Sequence, residues 1–132
     1  MRQRLILSVP AATAPRHLAA ALGAGDVAAV IIDAAAPEAP AQAAAAVTVG
    51  VAALLKGAAW PLPFAADGLH AEADAARLLS TRPDGAICGA AARTRHDAMI
   101  AGEKSADYVW FDGSGDVVKA CEYAAWWQAL FE

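Results

Sequence analysis

Six short apolar runs punctuate this chain: Leu5 to Val9, Val27 to Ile32, Val51 to Leu55, Gly68 to His70, Ala86 to Gly89 and Tyr108 to Phe111. Most lead into an alanine-rich stretch, and they recur roughly every twenty residues, the spacing of tight strand–crossover–strand units. Parallel strands need a crossover of about a dozen residues or more, and a helix is the usual way to supply it. The beat therefore predicts an α/β fold with helices outside a mostly parallel sheet. It also predicts where chemistry sits, because such folds carry it on the loops after the strands.

Composition agrees with that reading. Of 132 residues, 58% are hydrophobic and 18% charged, as suits strands buried on both faces. The length is that of one domain, residues 1–132. A net charge of −4 and a pI near 5.2 disfavour a nucleic-acid partner, which selects a basic surface. Cys88 falls in a predicted strand and Cys121 in a predicted helix, so both are expected as buried free thiols in a reducing cytoplasm.

No membrane or targeting segment is expected. The apolar stretch after Arg2 and Arg4 is about five residues, below the 7–15 of a signal core. The run from Ala39 to Leu55 is interrupted by Gln42, Thr48 and Gly50, and it is shorter than the ~20 apolar residues of a span. It reads as a helix followed by a strand.

Local signals punctuate the rest. Pro15 opens a first helix that runs to Leu22, and Gly23 to Gly25 stop it. A second helix runs from Pro37 or Pro40 to Ala46. Gly57 to Ala66 holds two prolines; an interior proline costs a helix ~3 kcal/mol, so a loop is predicted there. A helix is predicted over Glu72 to Leu79. Thr94 caps the next one, with Asp97 at its third position in a capping-box arrangement. Asp116 begins the last helix, where the dipole favours an acid. Beyond the βα unit itself no repeat is evident.

Two stretches carry a family resemblance. Ala66-Asp67-Gly68-Leu69-His70 is similar to the GADG(V/I)H segment at strand four of the thiamine phosphate synthase and TenI superfamily. Thr94 through Val109, TRHDAMIAGEKSADYV, resembles that family's helix-five to strand-six stretch. The family forms small (β/α)8 barrels, and the likeness runs in outline from strand one to helix six. A closed barrel takes about 200 residues or more. The expectation is therefore a partial TIM-barrel-like (βα)6 unit, with an open flavodoxin-like sheet as the alternative. The barrel fragment leaves strand edges to cover, which favours a homo-oligomer.

The resemblance implies thiamine phosphate synthase chemistry, the joining of a pyrimidine diphosphate to a thiazole phosphate with Mg2+ as cofactor. Departures imply weakened or lost turnover. Asp33-Ala34-Ala35-Ala36 stands where the family carries a Gln–Arg–Lys pattern for diphosphate, and Lys56–Gly57 stands where it carries Asn–Asp for magnesium. Glu72 and Asp74 are the carboxylates left to act as metal ligands. The alternative is a non-catalytic domain on the same scaffold that binds a small ligand or a partner chain.

Candidate contacts to a phosphorylated small molecule are Arg93, Arg95 and His96, cations at a helix entry after strand five. The competing role is a solvated helix start. His70, a lone histidine among apolar neighbours, reads either as a ligand contact or as a hydrogen-bonded core residue. Asp33 and Lys56 sit at the carboxyl ends of strands two and three. A solvated or capping acid and a snorkelling lysine are the plain readings of that pair; the functional readings are a ligand contact at Asp33 and an anion-binding or Schiff-base Lys56. Gly113-Ser114-Gly115 is a glycine-rich turn that matches no nucleotide fingerprint. Trp126, Trp127 and Phe131 are expected to pack on the sheet or on a partner.

Overall fold

The computed structural model describes the chain from Arg4 to Phe131, the side chain of Phe131 excepted. Strands and helices alternate: β1 (Leu5–Val9), α1 (Pro15–Gly23), β2 (Val27–Asp33), α2 (Ala39–Thr48), β3 (Ala52–Lys56), β4 (Gly68–Ala71), α3 (Ala75–Ser80), β5 (Ile87–Ala92), α4 (Arg95–Glu103), β6 (Val109–Phe111) and α5 (Val117–Phe131). The strands follow chain order in the sheet. The fold is α/β with parallel pairing, as the sequence predicts. No helix among the described residues is long and apolar enough to cross a membrane.

The chain divides into two compact units, Met1–His70 with Pro83–Ile87, and Ala71–Arg82 with Cys88–Glu132. In the first, β1, β2, β3 and β4 pair in parallel. Ile32 lies opposite Leu55 and Leu55 opposite Leu69, and all three are fully buried. Each such side chain contributes roughly 1.5–3 kcal/mol through burial. Alanines at 39, 43 and 46 bury one face of α2 and let the helix approach closely. Gln42, on that same face, donates from Nε2 to the Thr13 carbonyl at 2.9 Å, which ties the β1–α1 loop to the helix. Gly57 to Ala66 contains no helix, as its prolines require.

In the second unit β5 and β6 pair in parallel, with Ala90 opposite Val109 and Ala92 opposite Phe111. Trp127 on α5 meets the Phe111 ring edge-on at 6.3 Å and Trp126 at 6.1 Å. It also lies where a side chain on Gly102 of α4 would fall. The expected packing role of the two tryptophans is thus realised within the unit. Phe131, expected to join them, has its side chain outside the described residues.

Four expectations need correction. The helix predicted from Glu72 begins only at Ala75, because Glu72–Asp74 form a turn; Glu72 is therefore not in a first helical turn. Cys121 is exposed while Cys88 is buried. An alanine-rich helix has weak amphipathic patterning, so sequence alone does not say which of its faces is covered. β6 begins at Val109 rather than at Tyr108, where the apolar run starts.

The fourth correction is that a repeat exists beyond the βα unit. An aspartate precedes β2, β4 and β6 and bonds the strand before it. Asp26 accepts the Leu5 N–H through its carbonyl at 3.1 Å and Arg4 Nε through Oδ1 at 3.0 Å. Asp67 accepts the Ala53 N–H through its carboxylate at 2.8 Å. Asp107 accepts the Cys88 N–H in the same way at 2.8 Å. The carboxylates of Asp67 and Asp107 satisfy backbone donors at strand starts, which are costly to leave unpaired.

Candidate site at the β5–β6 rim

The register of the second unit builds the site. Pairing of Ala92 with Phe111 brings the next residues, Arg93 and Asp112, side by side at the carboxyl ends of β5 and β6. A cavity of about 290 Å³ opens there. Its polar lining is Arg93, Asp112, Ser114, Asp116 and Lys119, and Phe111 and Tyr123 supply the aromatic wall.

Local chemistry sets each side chain. Thr94 accepts the Asp97 N–H at 3.1 Å and starts α4, as its sequence position predicts. The Asp97 carboxylate accepts the Arg93 N–H at 3.3 Å, one residue further back than a capping box requires, so the cap also positions the arginine. After β6, Asp112 accepts the Ser114 N–H at 2.9 Å and the Ser114 hydroxyl at 3.0 Å. These two bonds, with the nearby Arg93 guanidinium, hold its carboxyl below the ordinary range. Asp116 accepts the Lys119 N–H at 3.0 Å and caps α5.

Both acids are thus occupied with the turn and the helix start. Among the described residues, neither the Arg93 guanidinium nor the Lys119 ammonium is in an ion pair; Lys119 Nζ lies 5.8 Å from the centroid of the Tyr123 ring. The cavity therefore offers free cationic donors beside carboxylates already satisfied, at the end of the fold where ligands bind. The first turn of α5 faces the same space and adds its partial positive charge.

The residues expected from sequence are only partly brought together. Arg93 lines the cavity. Arg95 does not: its guanidinium lies 5.1 Å from the Trp126 ring centroid and 5.8 Å from that of Tyr123, where it braces the aromatic wall. His96 is exposed on the first turn of α4. His70 is buried, 5% exposed, in β4 of the first unit. Glu72 is exposed, and Asp74 pairs with Arg77 at 3.1 Å. Among the described residues no three His, Cys, Asp or Glu side chains converge as a metal site would need.

Sequence reasoning passed over Lys119, Asp112, Asp116 and Tyr123. A signal was available in Asp112-Gly113-Ser114-Gly115-Asp116. Polar residues alternate there with glycines directly after a strand, and a lysine follows at the third helical position. No family model matches the chain, and no curated protein matches it significantly.

Proposed function

We propose that this chain is a small-ligand-binding α/β domain whose β5–β6 rim takes a phosphorylated small molecule. The observation that carries the reading is the pair of cations Arg93 and Lys119, neither in an ion pair among the described residues, on a cavity of about 290 Å³. A phosphate would accept from both, and charge-assisted bonds of this kind are roughly twice as strong as neutral ones. Phe111 and Tyr123 form a wall suited to a planar ring. Ring plus phosphate is also the chemistry that the thiamine phosphate synthase resemblance implies, so thiazole phosphate and thiamine phosphate are the first ligands to test.

Calorimetric titration with each, alongside inorganic phosphate, decides the matter. Binding that falls about tenfold or more in Arg93→Ala and in Lys119→Ala supports the reading. Absence of binding by all three ligands, or affinity unchanged in both variants, defeats it.

The likeness of residues 94–109 favours a second reading, in which the chain keeps thiamine phosphate synthase turnover with magnesium on Glu72 or Asp74. A coupled assay with hydroxymethylpyrimidine diphosphate and thiazole phosphate tests it; magnesium-dependent product at an ordinary enzymatic rate would replace the binding-only reading. In either case we read the domain as cytoplasmic and homo-oligomeric. Two free cysteines suit a reducing compartment, and exposed Val117, Val118 and Leu130 on α5 suit a subunit contact. Sedimentation of a monomer at all concentrations would end the oligomer proposal.

A further inference from the structure

We propose that Asp33, Lys56 and His70 form a ligand site of the first unit that takes a short hydroxylated anion. In sequence these residues are scattered, and each has a plain structural reading. Register is what joins them. Asp33 lies opposite Lys56 across β2 and β3. Leu55 lies opposite Leu69 across β3 and β4, so the next step along both strands sets Lys56 beside His70. Side chains alternate faces along a strand, which gives the three a common face in one row. The row stands at the carboxyl ends of parallel strands, where α/β folds bind ligands.

The polar groups of the row are only partly used by the fold. The Ala34 N–H donates to the Lys56 carbonyl at 3.0 Å, locking the two strand ends together. Gly57, at φ +75°, then turns the chain in a conformation that favours glycine. Asp33 Oδ1 accepts the Ala35 N–H at 3.0 Å, which orients the carboxylate and leaves Oδ2 available. Lys56 is half-buried, and among the described residues its ammonium makes no hydrogen bond or ion pair. Opposite charges on adjacent strands ordinarily attract, yet these two do not close on one another. His70, 5% exposed, puts a third polar group in line.

A ligand anion on the Lys56 ammonium and a ligand hydroxyl donating to Asp33 Oδ2 would bridge the two positions. Neighbouring strands are about 4.8 Å apart, the scale of a carboxylate or phosphate and a hydroxyl a few bonds away in a three-carbon compound. The ligand class is therefore a short hydroxycarboxylate or hydroxyalkyl phosphate.

Amide-resolved NMR titration of the full chain tests this with glycerate, glycerol 3-phosphate and propionate. We expect saturable shifts at Ala34, Ala35, Lys56 and Gly57 with glycerate or glycerol phosphate, the tighter of the two naming the anion. Propionate, which lacks the hydroxyl, should bind about tenfold more weakly. Lys56→Ala should weaken binding by about tenfold or more, while Lys56→Arg keeps the charge and most of the affinity. Asp33→Asn should erase the preference over propionate, and Arg93→Ala should leave the shifts at these amides unchanged. No saturable shift at these amides, or equal affinity in wild type and a folded Lys56→Ala, overturns the proposal.

Discussion

The Asp107 carboxylate accepts the backbone N–H of Cys88 at 2.8 Å, and the Asp107 N–H returns to the Cys88 carbonyl at 2.9 Å. Asp67 and Ala53 make the same reciprocal pair, at 2.8 and 2.9 Å. In each case a residue just before an even-numbered strand grips the start of the odd-numbered strand before it. Asp107 also receives Arg82 Nη1 at 2.9 Å, so one carboxylate joins the β5 start to the end of the α3 segment.

Removing either carboxylate leaves a strand-start donor without its acceptor. Asp67→Ala and Asp107→Ala should each cost about 1–3 kcal/mol, the range for losing a hydrogen bond to a charged acceptor. Urea unfolding measures the loss through a lower midpoint at unchanged slope. An Arg82→Ala variant should cost less than Asp107→Ala, because it leaves the Cys88 N–H satisfied.

Gly89 and Tyr108 are coupled by space. A side chain on Gly89 would fall within the Tyr108 ring, so Gly89→Ala should destabilise by about 1–3 kcal/mol through overpacking. In Gly89→Ala/Tyr108→Ala the clash is gone. The double-mutant cycle should therefore give a coupling energy of about 1 kcal/mol or more in the compensating direction. Strict additivity would refute the packing account.

Burial pushes the Cys88 thiol above its ordinary 9.0, with Asp107 adding to the rise and Arg82 opposing it. Burial also raises Tyr108, with smaller contributions from Cys88 and Asp107. A raised folded-state value means that the unfolded chain gives up its proton first. Stability is then full below the unfolded values of 9.0 and 10.0 and declines as pH rises beyond them. Melts between neutral and strongly alkaline pH should show that decline, and Cys88→Ala/Tyr108→Phe should flatten it. At neutral pH, iodoacetamide should label exposed Cys121 and spare Cys88 until the protein unfolds.

Arg95 and Arg93 should separate in their effects. Arg95 stacks on Trp126 and Tyr123, so Arg95→Ala should cost about 0.5–1 kcal/mol of stability and weaken phosphate binding only slightly. Arg93→Ala should do the reverse. Equal loss of affinity in both variants would put Arg95 in the cavity and refute its bracing role.

The alternation of strands and helices, the helix-free Gly57 to Ala66 and the Thr94 cap were all legible in the chain. Each depends on interactions within a few residues: β-branched and apolar runs, a proline that removes a donor, a hydroxyl that reaches the third N–H of its own helix. The extent of α3, the exposure of Cys121 and the stacking of Arg95 were not legible. Alanine-rich helices satisfy their own backbones equally well at several lengths and rotations, so only the partner surface selects among them. The same holds for both proposed sites. Sequence determined that polar residues end the apolar strands; it could not say which of them would be neighbours. Strand register decided that, setting Arg93 beside Asp112, Asp33 beside Lys56 and Lys56 beside His70, because pairing between distant segments is settled by packing of the sheet.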